Sequence, residues 1–167
     1  MLKANWICPA YNMGKVCPLF RKDFSIGKKA DSATLYITAR GVYEATLNGQ
    51  RVGDFIMAPG WTQYDKRHQY QEYDITSMLK SENEIRVTLA SGWFNGRINQ
   101  RTRKELPDVY PALICEIELV YADNTKEYIY SDESWECALS KITFSDIYDY
   151  CKKIYHIDKV LVDIMLQ

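Results

Sequence analysis

Val42-Tyr43-Glu44-Ala45-Thr46-Leu47-Asn48-Gly49-Gln50-Arg51-Val52-Gly53-Asp54-Phe55-Ile56 decides the fold class. Two strand-prone runs flank Asn48-Gly49. Asn and Gly both tolerate the positive φ of a type I′ turn, so this pair marks a tight hairpin between antiparallel strands. The first arm reads as 42–47 and the second as 50–56. Immediately beyond, Ala58-Pro59-Gly60-Trp61 breaks the pattern and sets an aromatic side chain on a loop. Gly92-Trp93-Phe94-Asn95-Gly96-Arg97 reads as a second loop of the same kind.

Outward from the hairpin the same grammar continues. In 33–39, Leu35, Ile37 and Ala39 alternate with Thr34, Tyr36 and Thr38, the period of a strand with one buried face. Ile85, Val87 and Leu89 alternate in the same way within 84–90. The stretch 112–121 is the most apolar strand, and Asp123-Asn124 turns it back into 125–130. Further strands are expected at 21–26, around Trp135 and over 142–149, with an edge strand within 64–73. Asp74 is placed to cap one or two helical turns over 74–79, because its carboxylate can accept from the first free amides. Trp6 and Ile7 are expected to tuck against the sheet. About eight short strands with turn signals between them point to an all-β antiparallel sandwich or jelly roll, galactose-binding-like in architecture. The sandwich is expected to span 1–149. Residues 150–167 make an atypical tail, free of turn residues, that suits a last strand or a terminal helix.

A chain of 167 residues can bury a sizeable core as one domain. A net charge of −1 gives no global field for nucleic acid. No apolar run approaches the ~20 residues of a membrane helix, and the first residues lack a leader pattern, so a cytoplasmic protein is expected. Five cysteines without a C-x-x-C pair indicate neither a disulfide framework nor a zinc site, and Cys115 is expected to be a buried thiol.

Chemistry by acids and nucleophiles finds little support. Glycoside hydrolysis needs two carboxyl groups roughly 5 to 9.5 Å apart. Asp54, Asp65, Asp74, Asp146 and Asp149 are the candidates, yet each suits a turn, a cap or an ion pair. There is no Gly-x-Ser-x-Gly elbow, and only two histidines are available as bases. No Gly-Lys-Ser/Thr follows Gly92–Gly96, so a phosphate loop is absent. The basic residues of 97–104 read as a solvated or subunit-facing loop. No catalytic residue and no metal ligand is therefore assigned.

Sugar binding matches the loop residues better. Pyranose rings have apolar C–H faces that stack on Trp and Tyr, and hydroxyls that pair with planar polar groups. Trp61, Gln63, Tyr64 and Asp65 supply that mixture on one loop; Trp93, Asn95 and Arg97 supply it on the other. The competing reading has Trp61 and Trp93 folding back to plug the end of the sandwich.

An ordered set of segments carries a family resemblance: Leu35–Ala45, Leu47–Asp54, Ala58-Pro59-Gly60-Trp61-Thr62, Tyr70-Gln71 with Tyr73-Asp74-Ile75-Thr76, Gly92-Trp93-Phe94, Gly96-Arg97, Tyr121-Ala122-Asp123, Asp132–Trp135 and Phe144–Asp149. Together they resemble the N-terminal β-sandwich of bacterial alpha-L-rhamnosidases. The resemblance implies full-length relatives that hydrolyse terminal alpha-L-rhamnose by inversion, with glutamates on a downstream (α/α)6 barrel as acid and base. It implies that this chain, in which nothing matches that barrel, is an accessory domain without hydrolase activity of its own. Its implied partners are a rhamnose-containing glycan or the catalytic domain. No cofactor is expected: some relatives bind rhamnose with calcium, but the usual acidic residue after Gly-Trp-Thr is Gln63 here. The alternative is a docking sandwich without sugar affinity that packs against other domains or self-associates into a homo-oligomer. After Asp149 the family pattern gives way to Tyr150-Cys151-Lys152-Lys153, which suggests a truncated, frame-shifted or divergent ending.

Overall fold

The structure is a computed structural model and describes residues 2–96, 110–147, 151–153, 161–162 and 164–166. Its strands are β1 (Ile7–Pro9), β2 (Pro18–Ser25), β3 (Ser32–Arg40), β4 (Val42–Leu47), β5 (Gln50–Arg51), β6 (Gln71–Asp74), β7 (Glu82–Ala90), β8 (Ala112–Val120), β9 (Lys126–Tyr130), β10 (Glu136–Leu139), β11 (Ile142–Ser145), β12 (Cys151–Lys153), β13 (Leu161–Val162) and β14 (Ile164–Leu166). The described helical pieces are a 3-10 turn, Thr76–Met78, and one short helix, α1 (Gly92–Asn95).

Two six-stranded antiparallel sheets pack into a β-sandwich. One runs β14-β1-β8-β3-β6, with β9 also on β8; the other runs β13-β10-β2-β7-β4-β5. The alternation visible in the sequence explains the core. Leu35 and Ile37 of β3 and Leu113, Ile117 and Leu119 of β8 point inward from the first sheet. Phe20, Leu47, Ile85, Val87 and Leu89 meet them from the second. Each such side chain contributes about 1.5–3 kcal/mol on burial, so the two periodic strand sets fix the register of both layers.

The Asn48-Gly49 turn forms as read, with φ of 53° and 81° and Leu47 opposite Gln50. The second arm is much shorter than 50–56. After Arg51 only the Val52 amide still reaches the sheet, donating to the Ala45 carbonyl at 2.9 Å. β5 is the edge of its sheet, so 53–57 has no neighbouring strand to pair with. The expected 64–73 strand likewise contracts to β6, and the strand read around Trp135 begins only at Glu136. Trp135 sits in the preceding turn, buried, its indole N–H donating to the Tyr130 carbonyl at 2.9 Å.

Residue 75, not Asp74, occupies the cap position of the 3-10 turn. Asp74 acts one residue earlier, its Oδ1 accepting the Thr76 amide at 2.9 Å. Cys115 is fully buried, as are Cys8, Cys17 and Cys137; burial pushes the Cys17 and Cys137 thiols up to about 12. The described part of the tail is strand rather than helix. β13 pairs with β10 and β14 with β1, so the tail adds an outer strand to each sheet. The basic loop 97–104 lies outside the described residues.

Candidate functional site

At one end of the sandwich β3 passes through Gly41 into β4, and Val42 lies opposite Ala90 at the end of β7. The two tryptophan loops emerge here. The first is pinned at its base. The Tyr43 amide donates to the Ala58 carbonyl at 2.8 Å, and Gln71 Nε2 donates to the Pro59 carbonyl at 3.3 Å across a cis Ala58-Pro59 bond. Further along, the Lys66 and Arg67 amides both donate to the Gln63 carbonyl, and Thr62 Oγ1 donates to the Arg67 carbonyl at 2.8 Å. The loop therefore has internal order of its own.

The second loop is not irregular: Gly92–Asn95 makes the single turn α1, closed by the Asn95 amide donating to the Ser91 carbonyl at 3.0 Å. Gly92 is required there. Its φ is 51°, and a Cβ at this position would lie 2.6 Å from Val42 Cγ1. Only glycine lets this turn seat against the start of β4.

The two loops meet. Tyr64 of the first stands edge-on to Phe94 of α1, ring centroids 5.1 Å apart. His68 packs on Tyr64 at 5.7 Å and on Trp6 at 5.2 Å, and the Arg40 guanidinium lies 4.7 Å above the Trp6 ring. A continuous aromatic column thus joins the N-terminal segment, the first loop and α1.

The sequence-derived site residues separate into three groups. Trp61, with 66% of its surface exposed, stands out from the first loop, and Asp65 is exposed on the same loop. Trp93 and Asn95 are half-buried on α1. Tyr64 is corrected in role: it is buried inside the column, where its ring holds the loops together instead of offering a face to solvent. Arg97 lies outside the described residues. Sequence reasoning missed Trp6, His68 and Phe94, which build the column. Their only signal was an aromatic or imidazole ring in or near an irregular segment, which does not distinguish a pillar from a platform. It also missed Phe55, Ile56 and Met57, exposed beside Trp61 on the same segment.

Among the described residues no three His, Cys, Asp or Glu side chains come together as a cation site, and the amide of Gln63 carries no charge.

Residues 28–152 match the family described as the alpha-L-rhamnosidase N-terminal domain. An alpha-L-rhamnosidase of Streptomyces avermitilis is 40% identical over 142 residues, which cover 80% of this chain and 14% of that protein. The crystal structure of the native alpha-L-rhamnosidase from Aspergillus terreus superposes with a TM-score of 0.81 at 38% identity, covering 90% of this chain and 18% of the other. That of the Streptomyces avermitilis enzyme complexed with L-rhamnose gives 0.73 at 37%, covering 83% and 14%. The chain thus spans about a seventh to a fifth of the length of these relatives.

Proposed function

Because the chain belongs to the alpha-L-rhamnosidase N-terminal domain family, we propose that it serves carbohydrate recognition for a rhamnosidase-type glycoside hydrolase. The site is the loop end of the sandwich. Trp61 supplies a stacking face for the apolar side of a rhamnoside, and Asp65 and Asn95 supply hydroxyl partners. Trp93, on the same turn as Asn95, is the second aromatic candidate, and Tyr64 positions the loops. Arg97, next to α1 in sequence, is the cationic candidate of the same set. Release of rhamnose from an aryl rhamnoside is not expected of the chain by itself.

The observation that carries this reading is Trp61. A large aromatic side chain is exposed on a loop whose backbone is hydrogen-bonded and whose base is buried. Folding alone gives no reason to hold it there. Titration of intrinsic tryptophan fluorescence with L-rhamnose tests it. Wild type is expected to show a saturable change that Trp61→Ala loses; a flat response up to high millimolar sugar would reject the reading.

A second reading has its own observation. Phe55, Ile56, Met57 and Trp61 form an exposed apolar stretch with 48%, 74%, 38% and 66% of their surfaces accessible. Such a stretch suits docking against a catalytic domain or a second copy. Concentration-dependent association without sugar affinity would favour it.

A further inference from the structure

The outer face of the β8-containing sheet carries a second pattern, unrelated to the loops. Residues directly opposite one another in antiparallel strands share a face. The registers therefore align Tyr130, Glu116, Tyr36 and Glu72 in one row across β9, β8, β3 and β6. Tyr128, Glu118, Thr34 and Asp74 align in the next. Tyr128 and Tyr130 are parallel to within 3°, centroids 5.7 Å apart. Tyr70 packs on Tyr36 at 6.3 Å and is half exposed. A carboxylate fixes one of the rings: Tyr128 donates to Glu118 Oε2 at 2.7 Å.

Core packing explains none of this, since the inward residues of the same strands already fill the interior. Tyr130 and Tyr36 lie two strand spacings apart, about 9.5 Å. That matches the disaccharide repeat of an extended β-1,4-linked glycan, so alternate sugars of one chain would meet successive tyrosines. Glu116, between the two rings, is buried and accepts the Lys3 amide at 2.7 Å, so the exposed Glu72 at the end of the row is the carboxylate placed to accept from a sugar hydroxyl. The charge balance selects the ligand further. Glu72, Asp74, Glu116 and Glu118 outnumber the cations at this face, Lys3, whose ammonium lies 5.7 Å over Tyr128, and Lys126, which holds Glu118 at 3.1 Å. The face repels acidic polysaccharides and suits a neutral, hydroxyl-rich chain.

We propose that this tyrosine–carboxylate face is a second glycan site that binds a linear, neutral, β-1,4-linked polysaccharide along the rows. It is independent of the rhamnoside reading of the loops. The test is calorimetric titration of the chain with cellohexaose, xylohexaose and mannohexaose, paired with amide chemical-shift mapping of wild type. At least one hexasaccharide is expected to bind, at least about tenfold more tightly than its disaccharide. The shifts should fall on β3, β8 and β9. Tyr130→Ala and Tyr36→Ala should each weaken binding at least about tenfold, while Trp61→Ala leaves it unchanged. The mapping needs no variant, so a misfolded mutant does not blunt the test. No binding by all three hexasaccharides overturns the proposal, and so do shifts confined to residues 58–68.

Discussion

The two ends of the sandwich are closed in opposite ways. At the turn end the buried polar side chains are paired. Asn48 Nδ2 donates to the Met78 carbonyl at 2.8 Å and to Asn83 Oδ1 at 2.9 Å, and Asn48 Oδ1 accepts the Glu84 amide at 3.0 Å. Asn83, itself buried, donates to the Lys80 carbonyl and accepts the Lys80 amide. At the loop end the backbone is pinned just as firmly, yet Trp61 is left in solvent. The turn end shows how this chain treats groups that serve stability: it buries and pairs them. A residue held rigidly without such pairing is available to a ligand.

The largest expected effect breaks the turn end. Asn48→Ala removes three hydrogen bonds, leaves the Met78 carbonyl and the Glu84 amide without their side-chain partner and forces alanine into a left-handed backbone. A loss of about 2–4 kcal/mol is expected in urea denaturation. Trp61→Ala sharpens the contrast. Its stability should change by less than about 0.5 kcal/mol, while rhamnose affinity in the fluorescence titration falls at least about tenfold.

Acid gives a smaller, graded effect on stability. Glu84 is held below its ordinary value, chiefly by its hydrogen bond to Arg86, and Glu118 by Tyr128 and Lys126. Asp74 is held down by Thr76, and Asp123 well below the carboxylate range by Thr125 and Lys28. A depressed folded-state pKa contributes stability that is fully present above the unfolded value and lost as pH falls through the folded one. The urea midpoint is therefore expected to drop as pH falls from about 5 to about 2, to stay flat from about pH 5 up to about pH 8, and to fall again in alkali, where the unfolded chain ionises thiols that burial keeps protonated in the fold. The smallest effect is Asp65→Ala, which should weaken sugar binding only about two- to fivefold and leave the urea midpoint in place.

What was legible in the sequence follows the length scale of the interaction. Period-two alternation in β3, β7 and β8 reports a buried face directly, because each residue's side of the sheet depends only on its neighbours. The Asn48-Gly49 turn was legible for the same reason. Its second role, tying Met78, Asn83 and Glu84 together, was not, since those partners lie more than 25 residues away. The hairpin's second arm was read too long, and β12–β14 were left open between strand and helix, because edge pairing depends on which strand happens to be adjacent. At the candidate site, sequence placed Trp61 and Trp93 on loops but could not tell which aromatic packs. Tyr64 and Phe94 meet only because Gly92 lets α1 sit against β4. Composition ranks both residues alike, and only the packing separates them.

The most direct test of the central claim is an amide chemical-shift map of the chain titrated with L-rhamnose. The account predicts saturable shifts clustered on residues 60–65 and 92–95, with the Asn48 turn unmoved. Saturable shifts elsewhere, or none at high millimolar sugar, would contradict it.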